Sequence, residues 1–157
     1  MLLGVVSDTH GYMDPRVAPL LQGVDHILHA GDIGKGDILG QLSRIAPLTA
    51  VRGNNDREPP ESLYPEEVTL EFEGCRIYLT HQVKVPKDSR SRSLTPYCEA
   101  GLNVVVSGHS HIALERQVGN ILFFNPGAAG KRRFNVVPSI GLLDVSEGRA
   151  SSTVVPL

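Results

Sequence analysis

Short apolar runs rich in β-branched residues alternate with stretches of helical period through the first half of this chain. LLGVVS (2–7), HILHA (26–30) and PLTAV (47–51) have strand length and strand composition, whereas PRVAPLLQG (15–23) and GDILGQLSRI (36–45) repeat their apolar positions at helical spacing. Gly23 closes the first of these helices. Strand–helix alternation with short loops predicts right-handed βαβ units and a parallel sheet. Residues 53–66 (GNNDREPPESLYPE) break the pattern and are predicted as a long loop without regular structure, the kind of segment that often carries function.

The period then shortens to two. VTLEFEG and CRIYLTH (68–81) alternate as a hairpin turning at Glu73-Gly74. A polar loop over 82–93 and a brief helix near 94–100 follow. Further strands are predicted at 103–108, 112–118, 121–125, 139–145 and 152–157, with a tight turn at Gly119-Asn120. Parallel units followed by hairpins predict an α/β fold of two stacked mixed β-sheets flanked by helices, an α-β-β-α sandwich. The 157 residues suit a single domain over 1–157 that buries its own core.

Composition narrows the class. A formal net charge of −2 predicts no strong attraction to nucleic acid or to a membrane surface. Met1 to Val6 lacks a basic flank and a cleavage site, and no run reaches membrane-spanning length, so a cytoplasmic protein is expected. Cys75 and Cys98 have neither metal-site nor disulfide spacing and are expected as small core residues in a reducing compartment. Assembly into a homo-oligomer is left open.

The chemistry lies where the strands stop. Asp8 and His10 end the first strand one position apart, so their side chains point the same way. Gly31-Asp32 follows the second strand and Gly53-Asn54-Asn55-Asp56 the third; His81 ends the fifth, and Gly108-His109-Ser110-His111 follows the sixth. Ligands of open α/β sheets bind beyond the carboxyl ends of the strands. Asp8, His10, Asp32, Asn54, His81, His109 and His111 are too many ligands for one tetrahedral zinc, and they include no thiolate. They suit two octahedral or five-coordinate divalent ions, Mn²⁺ first, with Fe, Co, Ni or Zn as alternatives. Such a pair, ~3.5–4 Å apart, generates a hydroxide and clamps a phosphoryl group during in-line displacement. Two divalent ions facing Asp8 and Asp32 keep a positive excess, which a hydroxide and a phosphodiester monoanion would neutralise. The glycines before Asp32, Asn54 and His109 are expected to permit sharp turns and close approach of a substrate.

The ordered series D-x-H, GD, GN-x-D, a lone His and GHxH resembles the calcineurin-like metallophosphoesterase superfamily. With the short chain and NPGAAG (125–130), it is most similar to the small bacterial and archaeal phosphodiesterases related to the retromer scaffold subunit. The resemblance spans Asp8 to Gly130. It implies that Asp8, His10 and His111 hold one metal, that Asn54, His81 and His109 hold the other, and that Asp32 bridges. It also implies a small-molecule or nucleotide phosphodiester as substrate, attacked by a hydroxide bridging the two metals, with Asn54, Asn55 and His109 as the catalytic set.

Two departures stand out. Many members of the superfamily carry GNH, whose histidine binds substrate and protonates the leaving group; here the residue is Asn55, expected at a phosphate oxygen. Small relatives also place a second histidine two positions after the lone one, where this chain has Gln82 and Val83 following His81. General acid help contributes ~10²–10⁴ in rate, so slow turnover or a preference for good leaving groups is expected. A metal-binding but catalytically weak interaction scaffold and a phosphomonoesterase are the rival readings.

Other polar residues have duller expectations. His29 is read as a packed core histidine, Asp56 as a former of an Asx-type turn, and Asn125-Pro126-Gly127 as a structural turn. Gly34, Gly36 and Gly40 lack the spacing of a P-loop, and no G-x-S-x-G is present. KVPKDSRSR (84–92) is expected as a solvated surface, while Arg52, Arg57 and Lys131-Arg132-Arg133 are candidate phosphate contacts.

Overall fold

The computed structural model describes residues 1–133 and 135–157. Two five-stranded mixed sheets are stacked face to face. The first contains β1 (Leu2–Val6), β2 (His26–His29), β3 (Leu48–Ala50), β9 (Ser139–Ser146) and β10 (Arg149–Pro156), in the order β10-β9-β1-β2-β3. The second contains β4 (Glu67–Phe72), β5 (Cys75–Thr80), β6 (Val104–Val106), β7 (Leu114–Val118) and β8 (Ile121–Asn125), in the order β4-β5-β6-β8-β7. The strands β1, β2 and β3 are parallel, as are β5, β6 and β8, while every hairpin partner is antiparallel.

Alternation decides which layer each side chain joins. Leu3 and Val5 of β1, Ile77 and Leu79 of β5, and Val104 and Val106 of β6 fill the layer between the sheets. Val6 of β1 turns outward beneath α1 (Val17–Leu20) and α2 (Ile38–Ser43), where it meets Val17, Leu21, Ile38 and Leu42. Val105 of β6 turns out with Phe123 toward Tyr97 of α3 (Thr95–Glu99) and Leu94. Strands buried on both faces read as continuous apolar runs, which is why VVV and ILFF do not alternate in polarity.

The helices are shorter than their periodic stretches. Over 15–23 only one turn is helical, because Pro15 and Pro19 withhold N–H donors and Gly23 adopts a φ of 84°. The 36–45 stretch keeps its helix over Ile38–Ser43. The 53–66 loop, expected without regular structure, carries one 3₁₀ turn at Glu61–Leu63 in which Glu61 is buried. Glu73-Gly74 forms the expected turn, with φ of 49° and 73° as a type I′ hairpin needs. Glu147-Gly148 does the same for β9 and β10, joining strands predicted as separate and extending both. Cys75 lies in the core as expected, but Cys98 is exposed, because α3 buries none of its own five residues. Among the described residues no helix is long and apolar enough to cross a membrane.

Candidate metal centre

The loops after β1, β2, β3, β5 and β6 meet at one edge of the stacked sheets, and the seven residues singled out at strand ends meet with them. Asp8 is fully buried. Its Oδ2 accepts from Ser7 Oγ (2.6 Å) and from the His109 N–H (3.0 Å), whereas Oδ1 has no hydrogen-bond partner among the described residues. That unpartnered oxygen lies 3.3 Å from His111 Nε2 and 3.8 Å from His10 Nε2, and the two imidazole nitrogens are 3.2 Å apart.

A second group adjoins the first. Asn54 Oδ1 is 3.0 Å from both His81 Nε2 and His109 Nδ1. His81 Nδ1–H donates to the Ala30 carbonyl at 2.7 Å, which turns Nε2 toward the shared point. Asp32 Oδ2 faces both groups, 3.7 Å from His10 Nε2 and 3.5 Å from His81 Nε2. Donor atoms held ~2.1 Å from an octahedral ion are ~3 Å apart along each edge, so these spacings fit two first-row ions sharing Asp32. Nitrogen and oxygen lone pairs converging at such distances repel unless a cation or a proton lies between them.

Electrostatics agrees with that role at Asp32 and His10, and at His81 it favours a proton that a cation would displace. Burial raises the Asp32 carboxyl, but hydrogen bonds from His81 and from the backbone and side chain of Asn55 outweigh it and hold the group well below the usual carboxylate range. Burial pushes His10 toward its neutral, ligating form, with Arg133 and His111 helping and the two carboxylates opposing. Burial also opposes a charge on His81, yet its Asp32 and Ala30 acceptors win and raise it.

Local backbone builds these positions at a cost. Asp8, His10, Asp32, His109 and His111 all have φ between 46° and 69°, a left-handed conformation disfavoured for residues with a Cβ. Strain gathered on five chemically alike residues marks a functional site. Gly31 makes the expected sharp turn, with a φ of 90°, whereas Gly53 and Gly108 have no positive φ and are needed for space. A Cβ on Gly53 would stand 2.1 Å from Asp32 Oδ1, and one on Gly108 would stand 1.9 Å from Ser7 Oγ and 2.7 Å from Asp8 Oδ2, so both leave room for the side chains around the site.

Around these candidate ligands lies a supporting shell, part of which escaped the sequence reading. His29 is fully buried in the core as expected. Its Nδ1 accepts the Gly31 N–H (3.2 Å), so Nε2–H donates to Thr9 Oγ1 (3.0 Å), and Thr9 donates to the Ile33 carbonyl (2.8 Å). It thereby ties the loop carrying Asp8 and His10 to the loop carrying Asp32. Asp56 accepts from the N–H groups of Ile33, Gly34 and Gly53, clamping the loops after β2 and β3. Asn125 donates to the Gly108 carbonyl (2.7 Å) and accepts from Gly127, so the structural turn after β8 also holds the His109 loop. Ser7 and Thr9 were missed; a buried hydroxyl on each side of Asp8 was the available signal.

The family model for the calcineurin-like phosphoesterase superfamily domain matches residues 1–148. The chain belongs to that superfamily. It is 31% identical to a probable metallophosphoesterase of Methanothermobacter thermautotrophicus, over 99% of this chain and 92% of the relative. It is also 28% identical to a phosphodiesterase of Escherichia coli, over 92% of this chain and 88% of the relative. The zinc complex of Vps29 from Entamoeba histolytica has the same fold, with a TM-score of 0.76 at 21% identity over 99% of each chain.

Within this calcineurin-like site, the two departures have definite places. Asn55, expected at a phosphate oxygen, holds Asp32: its N–H donates to Oδ1 (2.9 Å) and its Nδ2 to Oδ2 (2.7 Å). Gln82 Nε2 lies 2.7 Å from His109 Nε2. Two grooves flank the centre and share Gln82. One, of about 430 Å³, is lined by Arg52, Arg57, Glu66, Glu67 and His81; the other, of about 420 Å³, by Val83, Val85, His109, Ser110 and Leu114. Arg52 pairs with Glu66 (2.6 Å), and Arg57 donates to the Asn54 carbonyl (3.1 Å). Of the 84–92 loop, Lys84 and Val85 border the second of these grooves; Lys87 and Arg90 face solvent as expected.

Proposed function

We propose that this chain is a metal-dependent phosphodiesterase that works with two divalent ions, Mn²⁺ being the first candidate for a set of hard-to-borderline oxygen and nitrogen donors. The observation that carries this reading is Asp8 Oδ1, a fully buried carboxylate oxygen without a hydrogen-bond partner, aimed at the point where His10 and His111 converge. Leaving such an oxygen unmatched is costly, and a cation at that point removes the cost. Asp8, His10 and His111 would hold one ion, Asn54, His81 and His109 the other, and Asp32 both. When bound, such a pair supplies a hydroxide nucleophile near neutral pH and stabilises charge on the phosphoryl oxygens.

The chain's own residues do the rest. Ser7 and the His109 N–H orient Asp8, Asn55 orients Asp32, and Ala30 fixes the His81 tautomer. The two grooves would receive the two ester arms. The arginines of the first groove are already engaged, Arg52 with Glu66 and Arg57 with a carbonyl, which favours a singly charged diester over a doubly charged monoester. No imidazole beyond the ligands lines either groove among the described residues, so the leaving group departs with little acid help.

The test is hydrolysis of an activated aryl phosphodiester by protein shown to carry two Mn²⁺, with chelated protein and His109→Ala as controls. Metal-dependent turnover supports the reading, and its absence refutes the enzymatic claim. Faster turnover of the matching monoester would support the phosphomonoesterase reading instead. One observation favours a catalytically weak scaffold: Asn55 holds Asp32 where relatives place a proton donor. Failure of the loaded protein on every phosphoester would favour that second reading.

A further inference from the structure

The two imidazoles beside Asn54 are held by unlike partners. His81 Nδ1–H rests on the Ala30 carbonyl, which only accepts, so His81 Nε2 always faces the site. His109 has no such anchor on its ring. Its Nδ1 lies 3.0 Å from Asn54 Oδ1, and its Nε2 lies 2.7 Å from the terminal amide of Gln82. A side-chain amide both donates and accepts, and a half-turn about its last bond exchanges the two.

Without a cation, one arrangement satisfies both ring nitrogens of His109: Gln82 Nε2–H donates to His109 Nε2, and His109 Nδ1–H donates to Asn54 Oδ1. A cation placed among Asn54 Oδ1, His81 Nε2 and His109 Nδ1 requires the opposite tautomer, because Nδ1 must offer its lone pair. The ring proton then sits on Nε2, opposite an amide N–H in the first arrangement. Turning Gln82 so that Oε1 replaces Nε2 at the same place restores the hydrogen bond. Gln82 is exposed at the rim shared by both grooves, so this turn disturbs no packed neighbour.

We propose that Gln82 is an amide switch for His109, donating to Nε2 when the second cation position is empty and accepting Nε2–H when it is filled. The inference rests on the two-ion reading above and adds to it a positioning residue that this sequence carries immediately after His81. It also separates the two positions. The first is built on Asp8, which is buried and locked by Ser7 and the His109 N–H, whereas the second uses the exposed Asn54 and His109 and is the more readily exchanged.

Two variants and two readouts test this. Gln82→Leu keeps the bulk but neither donates nor accepts, and Gln82→Glu only accepts. Calorimetric titration of the full chain with Mn²⁺ should show the second binding step weakened ~10–100-fold in Gln82→Leu and retained in Gln82→Glu, with the first step unchanged in both. Long-range ¹H–¹⁵N spectra at mildly alkaline pH report the His109 tautomer directly, with Zn²⁺ as the diamagnetic probe. The wild-type chain should change from Nδ1–H to Nε2–H on loading, and Gln82→Glu should show Nε2–H before loading. Wild-type affinity for the second ion in Gln82→Leu overturns the proposal, as does equal weakening in both variants or an Nε2–H tautomer in the metal-free wild type. A wild-type chain that binds fewer than two ions overturns the two-ion reading, and this inference with it.

Discussion

Acidification should expose the cost of burying His29, and the structure sets its size. The imidazole is fully buried, and burial pushes it from its ordinary 6.5 down to about 4. Its neutral form is also the one the hydrogen bonds demand, because Nδ1 accepts from Gly31 and a proton there would face another donor. As pH falls through 6.5, the unfolded chain takes up a proton that the folded chain refuses until about 4. Stability therefore declines across that window and levels off below it. At ~1.4 kcal/mol per tenfold change in proton activity, the gap corresponds to ~3 kcal/mol.

His29→Gln removes the titration while keeping an amide near Thr9. The variant should be less stable than wild type at neutral pH, and the difference should shrink by ~3 kcal/mol by pH ~4. Urea unfolding of chelated protein, followed by far-UV circular dichroism because the chain has no tryptophan, measures this directly. With ~1–3 kcal/mol per molar urea, the two midpoints should draw together by ~1–3 M. Groups that do not act on His29 titrate alike in both proteins and cancel in the difference. A midpoint difference that does not change with pH would refute the reasoning.

Other perturbations act closer to the ligands. Gly53→Ala would drive a Cβ to within 2.1 Å of Asp32 Oδ1, so it should lower stability by ~1–3 kcal/mol and abolish uptake of the shared-ligand pair, measured by thermal melting and metal analysis. Wild-type uptake in that variant would contradict the packing described. Asn55→Ala removes both N–H···O support from its side chain and the orientation of Asp32 Oδ2, and should weaken metal binding by ~10-fold with unchanged secondary structure. Affinity equal to wild type would return Asn55 to a substrate role. Across aryl phosphodiesters of rising leaving-group basicity, kcat should fall steeply; a flat dependence would reveal a proton donor that the grooves do not contain.

Much of the site could be read from the chain because buried parallel strands leave few polar residues, and those few stand at strand ends. Asp8, Asp32, His81 and the GHSH loop stood out against runs such as GVV and NVVV for that reason. The two-sheet architecture followed equally from the change of period near residue 68. What stayed hidden lay partly in local backbone and partly in tertiary contact. Pro15 and Pro19 cut α1 to one turn despite a good helical pattern, and Glu147-Gly148 closed a hairpin with the same residue pair and backbone as the turn read at Glu73-Gly74. The exposed face at Cys98, the Asn55–Asp32 bonds and the Gln82–His109 contact all join residues by geometry that spacing does not encode. The left-handed backbone at five candidate ligands is likewise invisible, although Asp, Asn and His tolerate that conformation better than most residues.

The central claim is that two divalent cations share Asp32. Elemental analysis of Mn²⁺-loaded protein after removal of free metal tests it most directly. The account predicts two manganese ions per chain for the wild type, one for His109→Ala, and loss of both sites' integrity for Asp32→Ala. A wild-type chain that retains no stoichiometric manganese, or the same content in all three proteins, would contradict it.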